Sequence, residues 1–518
     1  MIYNRPYDGP TLARRRAGQR PGNDAAGETT GPGDAAGGGF IIGRSELGAG
    51  HMSKPNVLWV MTDQHTFDAL GCADHPVVET PNIDRIADSG ARFTDAYCPA
   101  PVCGPSRTSL FSGRYPSAHG SEGNWEPVDR DVDLLPELLS ASGYHTARVG
   151  KLHIAPIAAD HGFDYEQRHT TMNDLYNPNA PWMSDYVQWL ADRRFDGDVE
   201  AVIERTNRDE RQYPVYDAHR QFLLGSNWRT EAEHSNTWVT DRSVEYIEAH
   251  SEEPFFLFSS YFGPHQPMAA PGRWRDMYDP DDVPLPDEFY VDASDRPIGS
   301  RDGPSAFEES TYREVLAAYY GQISMIDHGI GRILDALEAE GFREDTVVAF
   351  TADHGEHAGQ FGTFFKGTMY ANAVRVPLVV ADPQAASGRV CDHVVNNLDL
   401  FATLADRCDL SVDVGSVPSR SLRPLLSDPG ADWLDRTYAE LGSERMVVDG
   451  DYKLYQADSD EWHRTGDQTF VHELYDRTER PLDSTDRWDD PHLADRQAEL
   501  LELTERFRAD TDTVLGEP

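Results

Sequence analysis

Residues 103–116 read Cys-Gly-Pro-Ser-Arg-Thr-Ser-Leu-Phe-Ser-Gly-Arg-Tyr-Pro, and both fold and chemistry can be worked out from this stretch. Residues 106–112 are predicted to form a short helix that ends at Gly113. Cys103 then lies at or just before the helix amino terminus, where free N–H groups and the helix dipole favour an anion. Arg107 follows about one turn later, so its guanidinium can point back to the same place. A nucleophile beside a planar fork of donors indicates attack on an oxyanion.

The same stretch resembles the signature of the type I, formylglycine-dependent sulfatases of the alkaline phosphatase superfamily. The resemblance rests on Cys-x-Pro-Ser-Arg and on the tail Ser-Gly-Arg-Tyr-Pro-x-x-His-Gly, which ends at His119-Gly120. In that family the cysteine is oxidised after synthesis to formylglycine, and the hydrated aldehyde is the nucleophile. The resemblance implies the same modification of Cys103, and with it a maturation enzyme as a partner. The structural alternative is a buried free cysteine with a surface arginine nearby.

The composition excludes some classes of partner. The chain has 518 residues and a formal net charge of -43, and its acidic residues are spread along the whole length. Such a surface repels nucleic acid. No apolar run approaches the ~18 residues that span a membrane. Lysine occurs only at residues 54, 151, 366 and 453, and a lysine-poor acidic composition is typical of salt-loving organisms. The composition predicts a high-salt cytoplasm, and the lack of a membrane-spanning run or a recognisable signal peptide predicts a cytoplasmic protein.

The first 52 residues are rich in Gly, Ala, Pro and Asp and show no periodicity. They are predicted to be disordered, or to be a mis-assigned extension with Met52 as the true start. The three arginines at residues 14–16 are not followed by an apolar region, so no signal peptide is predicted. Five cysteines at irregular spacing do not indicate a disulfide framework. Those other than Cys103 are interpreted as buried thiols, namely Cys72, Cys98, Cys391 and Cys408.

Two apolar runs end in polar residues. Residues 57–62 lead into Asp63-Gln64, and residues 346–351 lead into Asp353-His354-Gly355-Glu356. Both runs are predicted to be central strands buried on both faces, and open α/β sheets place their sites at the carboxyl ends of such strands. The resemblance implies a metal site formed by Asp63, Gln64, Cys103, Asp353 and His354. For Asp63 alone, a helix cap or turn is the structural alternative.

The implied metal is a divalent cation. The family usually has two acids after the first strand, whereas here Gln64 offers a carbonyl oxygen without charge. An oxygen-rich ligand set suits Ca²⁺ best, while His354 keeps Mn²⁺ possible, and Mg²⁺ also stays open.

Two of the four lysines fall in motifs of the resemblance. The predicted strand 144–149 runs into Gly-Lys-Leu-His at residues 150–153, where Lys151 and His153 would contact the sulfate and the nucleophile. Lys366, in Phe-Lys-Gly, resembles the second active-site lysine of the family. The alternative for Lys151 and His153 is a surface lysine with a histidine at a strand end.

Two further residues are candidates for contacts with the substrate. The predicted strand 254–261 is followed by Gly-Pro-His-Gln-Pro, and His265 resembles the residue that donates a proton to the leaving-group oxygen. The alternative for His265 is a solvated loop histidine. Asn124 would bind substrate as in related enzymes, and its alternative is capping of a turn.

The whole pattern predicts an α/β fold. A large mixed sheet flanked by helices, as in alkaline phosphatase, is expected over residues 53–430. It includes one long helix at residues 311–340, while residues 160–235 are interpreted as loops and short helices at the mouth of the site. Residues 431–518 are predicted to be a small domain of antiparallel sheet plus a terminal helix.

The predicted function is hydrolysis of sulfate esters, arylsulfatase-like or carbohydrate-directed, by a sulfuric ester hydrolase. One alternative is a phosphonate monoester or phosphodiester hydrolase of the same superfamily. Those relatives share the Cys-x-Pro-x-Arg core, but they tend to lack the Gly-Lys-x-His pair found here. The other alternative is a non-catalytic anion-binding relative in which Cys103 stays unmodified.

Overall fold

The computed structural model describes residues 54–516, apart from residues 130, 170–183, 212–223, 225–227, 251–253, 269, 294–306, 413–417 and 459–469. The predictions for residues 1–52 lie outside this part of the chain. Within it, no helix combines the length and apolar character needed to cross a membrane.

The centre of the molecule is an eight-stranded sheet with the strand order β4-β3-β5-β1-β6-β7-β2-β8. Strands β4, β3, β5, β1 and β6 run parallel, whereas β7 is antiparallel to both of its neighbours. The large mixed sheet expected from the sequence is therefore confirmed. Its strands are β1 Asn56–Asp63, β2 Ala91–Tyr97, β3 His145–Gly150, β4 Tyr165–Arg168, β5 Phe255–Pro264, β6 Thr346–Ala352, β7 Leu378–Ala381 and β8 Arg389–Asn396.

Strand β1 lies in the middle of the sheet because it is apolar on both faces. All eight of its residues are buried. Trp59 pairs in register with Phe258 of β5 and with Ala349 of β6. Parallel pairing brings the carboxyl ends of these three strands to one edge, which is where the polar residues follow.

Helices cover both faces of the sheet. On one face, the ring of Trp59 stacks on Phe111 with centroids 5.1 Å apart, which seats helix α2 against β1. On the other face, the long helix α8 packs beside α7 and β5. The helices of this part are α1 Pro81–Asp88, α2 Cys103–Ser112, α3 Pro116–His119, α4 Leu135–Ala141, α5 Asp185–Arg194, α6 Val199–Arg211, α7 Ser235–Ala249, α8 Glu309–Ala339, α9 Ala371–Val374, α10 Asp399–Arg407 and α11 Arg423–Ser427.

The carboxyl-terminal part is a four-stranded antiparallel sheet with a long helix, as expected. Its elements are β9 Arg436–Leu441, β10 Glu444–Asp449, β11 Tyr452–Asp458, β12 Phe470–Asp476 and α12 Ala494–Gly516. Leu500 and Leu503 of α12 cluster with Val447, Leu454 and Leu474 of the sheet. Arg477, just after β12, forms an ion pair with Asp95 of the large sheet. The domain boundary near residue 430 stays a prediction.

Three local expectations differ from the structure. Helix α2 begins at Cys103 rather than at Ser106, because Pro105 lies in the first turn, where a missing N–H costs nothing. The segment 160–235 contains β4, an edge strand whose Tyr165 pairs with Ala147, and not only loops and helices. Cys72 is half-buried rather than buried, while Cys98, Cys391 and Cys408 are buried free thiols.

Candidate active site

Cys103 is the first residue of helix α2 and is only 2% exposed. Its Sγ lies 3.2 Å from Nε2 of His354 and 3.6 Å from Oδ1 of Asp63. Burial and Asp63 raise the pKa of the Cys103 thiol, but Lys151 and Lys366 outweigh them, so the pKa is lowered overall. The side chain of residue 103 is therefore held among anionic and cationic groups at the carboxyl edge of the sheet.

The guanidinium of Arg107 joins the two central carboxylates. Its Nε donates to Oδ2 of Asp353 at 2.7 Å, and an Nη atom donates to Oδ2 of Asp63 at 3.1 Å. All three side chains are fully buried. Arg107 also donates hydrogen bonds to the backbone carbonyl of Lys151 at 2.8 Å and to Oγ of Ser260 at 2.9 Å. Arg107 thus neutralises the acids and fixes their position.

Lys151 forms a second ion pair with Asp63, with Nζ 2.5 Å from Oδ2 of that residue. Burial alone would raise the pKa of Asp63, but the charges of Lys151, His265 and Arg107 hold it well below its usual range. For His354, burial alone would lower the pKa, but the charges of Asp353 and Cys103 raise it, and the net direction is upward. Asp63 therefore carries a full negative charge at neutral pH.

Gln64 takes a left-handed backbone conformation, with φ 63°, directly after β1. This turn sends its amide group into a buried network. Nε2 donates to Oε1 of Gln266 at 2.8 Å and to Glu356, while Oε1 accepts a hydrogen bond from Lys366. Burial raises the pKa of Glu356 to about 7. The amide thus orients its carbonyl oxygen toward the cationic side of the site.

A metal ion fits this set of donors. Asp63, Cys103, Asp353 and His354 each offer one ligand atom, and these atoms all lie within 4.8 Å of one another. Carboxylate oxygens are the preferred ligands of Ca²⁺, and an imidazole nitrogen widens the choice of divalent ions. The structure brings these four residues together with Gln64 beside them, and their binding of a metal stays a prediction.

The two candidate proton-transfer residues are histidines with lowered pKa values. His153 is buried, and within the described part of the chain neither of its ring nitrogens has a hydrogen-bond partner. Its pKa is well below the usual value because of burial and the charges of Lys151 and Arg107. Nδ1 of His265 lies 2.9 Å from the carbonyl of Gln266, and burial and Lys366 lower its pKa as well. Both rings are neutral at pH 7.

Asn124 lies in a turn beside Cys103. Its Oδ1 accepts a hydrogen bond from the backbone N–H of Gly104 at 2.9 Å, at the start of helix α2. This carbonyl oxygen is therefore engaged with the helix end, next to Cys103.

Four contacts of the site were missed by sequence reasoning. Gln266 and Glu356 accept hydrogen bonds from the side-chain amide of Gln64. Ser260 accepts a hydrogen bond from Arg107, and the ring of Trp125 packs against His153. Gln266 and Glu356 belong to the motifs that predicted roles for His265 and for Asp353 and His354, but no role was predicted for these two residues themselves. Their roles depend on contacts across 202 and 292 residues of sequence, which no local pattern reveals.

A comparison with family models decides the classification. The model described as Sulfatase matches residues 55–410, well over half of the chain. The chain belongs to the sulfatase family. A second model, described as the carboxyl-terminal region of N-sulphoglucosamine sulphohydrolase, matches residues 359–510. As a sulfatase, the protein is a sulfuric ester hydrolase, and the resemblance found in the Cys103 stretch is confirmed.

Curated relatives agree with this family. The chain is 29% identical over 408 residues to an arylsulfatase of Clostridium perfringens, which covers 75% of this chain and 81% of the relative. It is 26% identical over 504 residues to an N-acetylglucosamine-6-O-sulfatase of Bacteroides thetaiotaomicron, covering 87% and 86% of the two chains. It is 30% identical over 373 residues to the uncharacterized sulfatase YidJ of Escherichia coli K12, covering 69% of each.

Solved structures show the same fold. One neighbour was determined in complex with its substrate D-glucosamine-2-N,6-O-disulfate, with a TM-score of 0.69, 21% identity, and coverage of 89% of this sulfatase and 99% of that chain. Another is the phosphonate monoester hydrolase of Agrobacterium radiobacter, with a TM-score of 0.72, 23% identity, and coverage of 88% and 96%. The expected alkaline-phosphatase-like fold is thereby confirmed.

Proposed function

We propose that this sulfatase hydrolyses sulfate esters through a formylglycine made from Cys103, beside a divalent metal ion. The observation that carries the proposal is the position of Cys103, whose Sγ lies 3.2 Å from His354 and 3.6 Å from Asp63. The residue that would become the nucleophile thus stands among the residues that would hold the metal. A separate maturation enzyme, with an external oxidant, would convert the thiol to the aldehyde.

The metal would be held by Asp63, Gln64, Asp353 and His354, with the oxygen of residue 103 as a further ligand. When bound, the ion supplies Lewis acidity, typically worth several kcal/mol of transition-state stabilisation. Oxygen-rich ligands make Ca²⁺ the first choice, with Mn²⁺ or Mg²⁺ as alternatives.

The fixed cations of the chain would bind the sulfate group. Arg107 and Lys151 form buried ion pairs with Asp63, and Lys366 donates a hydrogen bond to the side chain of Gln64. Their charges lie in a water-poor site, where fixed donors are worth much more than in water. They offset the negative charge that makes a sulfate ester resist nucleophiles.

The reaction would use one histidine for each half. One hydroxyl of the residue 103 hydrate loses its proton to water and its oxygen attacks sulfur, the bond from sulfur to the alcohol oxygen breaks, and His265, protonated from water, gives that oxygen a proton. His265 is neutral in the free site, so the negative charge of the bound sulfate is needed to raise its pKa for this task. The alcohol can then leave.

The second half returns the aldehyde. His153 is a neutral ring whose nitrogens have no hydrogen-bond partner in the described structure, and it takes the proton from the remaining hydroxyl of the sulfated hydrate, with the nearby sulfate charge raising its low pKa for this task. The bond from carbon to the sulfated oxygen breaks, sulfate leaves, and water re-forms the hydrate. An unmodified thiol has no second hydroxyl and cannot make this step, which is the chemical reason for the modification.

The alcohol part of the substrate is proposed to be aryl or carbohydrate. The support comes from relatives named as an arylsulfatase and as an N-acetylglucosamine-6-O-sulfatase, and from the neighbour bound to a disulfated glucosamine.

Phosphonate monoester hydrolysis is the second candidate. It is favoured by the fold, since the neighbour from Agrobacterium radiobacter has a TM-score of 0.72. Sulfate is preferred because Lys151 and His153, the pair that such hydrolases tend to lack, both line the site here. A third possibility, a binding protein with unmodified Cys103, is distinguished by the chemical state of that residue.

The test compares 4-nitrophenyl sulfate with a matched phenyl phosphonate ester, using protein purified from its native host in high salt. Faster turnover of the sulfate, lost in Cys103→Ala but kept in Cys72→Ala, supports the proposal. Cys72 is half-buried and lies outside the site. Preference for the phosphonate ester would establish the second candidate instead.

A further inference from the structure

Trp125 is a large aromatic side chain that stays exposed beside the proposed site. Its exposed fraction is 49%, and the other large exposed hydrophobic residues of the described chain are Tyr290, Val390 and Leu434. Of these four, Trp125 is the one whose ring contacts a candidate site residue: its centroid lies 5.1 Å from that of His153, with the planes at 63°. A half-exposed indole beside a charged cleft offers a flat apolar face to a bound ring.

The backbone of this loop is fixed close to the nucleophile. Asn124 accepts the N–H of Gly104, the residue after Cys103. The two backbones approach so closely that a Cβ on Gly104 would lie 2.8 Å from Cα of Asn124. On the other side, the N–H of Val128 donates to the carbonyl of Ala155 at 3.1 Å. Trp125 is therefore held at a defined distance from the start of helix α2.

The charged residues of the site are buried, so the alcohol part of a sulfate ester has room only at the solvent-exposed edge of the site. Arg107, Lys151 and Asp63 are almost completely buried, as is His153. A sulfate group bound by these cations would have to point its alcohol part toward solvent. Trp125 lies on that outer side of His153, because it is half exposed while the imidazole it touches is buried.

We propose that Trp125 is the platform on which a ring of the alcohol part stacks, and that it selects ring-bearing sulfate esters over short alkyl sulfates. This inference rests on the proposed function. The face of an indole packs on flat or apolar ring faces, so an aryl ring and the C–H face of a sugar share the required chemistry. Trp125 would thus determine specificity without taking part in proton transfer.

The test uses binding, so that it does not depend on turnover. Calorimetry measures the Kd of 4-nitrophenyl sulfate, glucosamine 6-sulfate and methyl sulfate on the Cys103→Ala protein in the presence of Ca²⁺ and high salt. Adding Trp125→Ala should weaken at least one ring ester about tenfold, while methyl sulfate changes less than twofold. Trp125→Phe should keep most of the affinity. The ester that loses most identifies the ring as aryl or sugar.

Leu434→Ala is the matched control, since Leu434 is 57% exposed and contacts no site residue named above. It should change none of the three Kd values. Equal weakening of methyl sulfate by Trp125→Ala would overturn the proposal, because Trp125 would then act by holding His153. Unchanged Kd values for both ring esters would overturn it too. If the wild-type protein turns over no sulfate ester, the proposed function fails, while this binding experiment still gives its own answer.

Discussion

Sγ of Cys103 lies 3.2 Å from Nε2 of His354, although 251 residues separate them in the chain. The contact brings the start of helix α2 against the end of strand β6. Parallel pairing of β1 with β6 makes this approach possible, because Asp63 and Asp353 then emerge at the same edge. The candidate site is therefore assembled by the sheet, and its parts can be tested separately.

Lys151 should matter more for turnover than for folding, because Asp63 keeps its ion pair with Arg107 when Lys151 is removed. Its Nζ lies 2.5 Å from Asp63, so Lys151→Ala removes one fixed donor from the place where the sulfate charge would be bound. We expect a fall of about 10²–10³ in kcat/KM for 4-nitrophenyl sulfate, comparable to the loss of one oxyanion donor.

The matched control is Lys54→Ala. Lys54 is an exposed lysine that donates to the carbonyl of Ser142, and its removal should leave kcat/KM within a factor of two. Equal losses in the two variants would contradict a role for Lys151 in the site.

Calcium should stabilise the folded protein through Asp63. A ligand that binds only the native state adds about 2.7 kcal/mol at a concentration of 100 Kd. We expect the Tm of chelator-treated protein to rise on addition of Ca²⁺, at constant ionic strength set with KCl. Asp63→Asn should abolish the rise, and Asp68→Asn, an acid outside the cluster, should keep it. The same rise in all three proteins would place the bound Ca²⁺ elsewhere on this acidic surface.

Acid should destabilise the protein through its buried histidines. Burial lowers the pKa of His119 to about 3 from its usual 6.5. The unfolded state then binds the proton first, so stability is present above pH 6.5 and is lost as the pH falls toward 3. At pH 5 this one group should cost about 2 kcal/mol.

Urea unfolding at pH 7 and pH 5 checks this expectation. The free energy of unfolding should fall less in His119→Asn than in the wild type, by about 2 kcal/mol. Equal falls in the two proteins would mean that His119 has an ordinary pKa. The comparison is made at one high salt concentration, because surface repulsion also changes with pH.

The carboxyl-terminal sheet should depend on one buried ion pair. Lys453 is 2% exposed, pairs with Asp483, and donates to the carbonyl of Met369 at 3.1 Å. Lys453→Met leaves the carboxylate of Asp483 without this cation in a buried place, which should cost about 3–5 kcal/mol. Lys453→Met combined with Asp483→Leu should recover part of the loss. Urea unfolding measures both, and a double variant less stable than the single one would contradict the expectation.

Much of the fold could be predicted because β1, β5 and β6 are apolar on both faces. Their sequences require a buried position, and residues such as Asp63 and Asp353 follow at their ends. Edge strand β4, in contrast, was missed: its residues Tyr165–Arg168 are only half-buried and are placed by backbone pairing with β3, which leaves no periodic signal.

Only the candidate site residues that belong to local sequence motifs could be predicted from the sequence. The helix spacing predicted that Arg107 would point back toward Cys103, but not that its guanidinium would be shared between Asp63 and Asp353. The hydrogen bonds of Gln64 to Gln266 and Glu356 join three separate loops. The exposure of Trp125 is likewise a property of the folded surface. Neither feature could be read from local sequence.

The mass of the tryptic peptide that contains residue 103 tests the central claim most directly. The protein should come from its native host and show measured sulfate turnover. We expect the aldehyde, lighter than the cysteine peptide, in a fraction that rises in proportion to kcat across preparations. Full sulfate turnover with an unmodified Cys103 thiol would contradict the account.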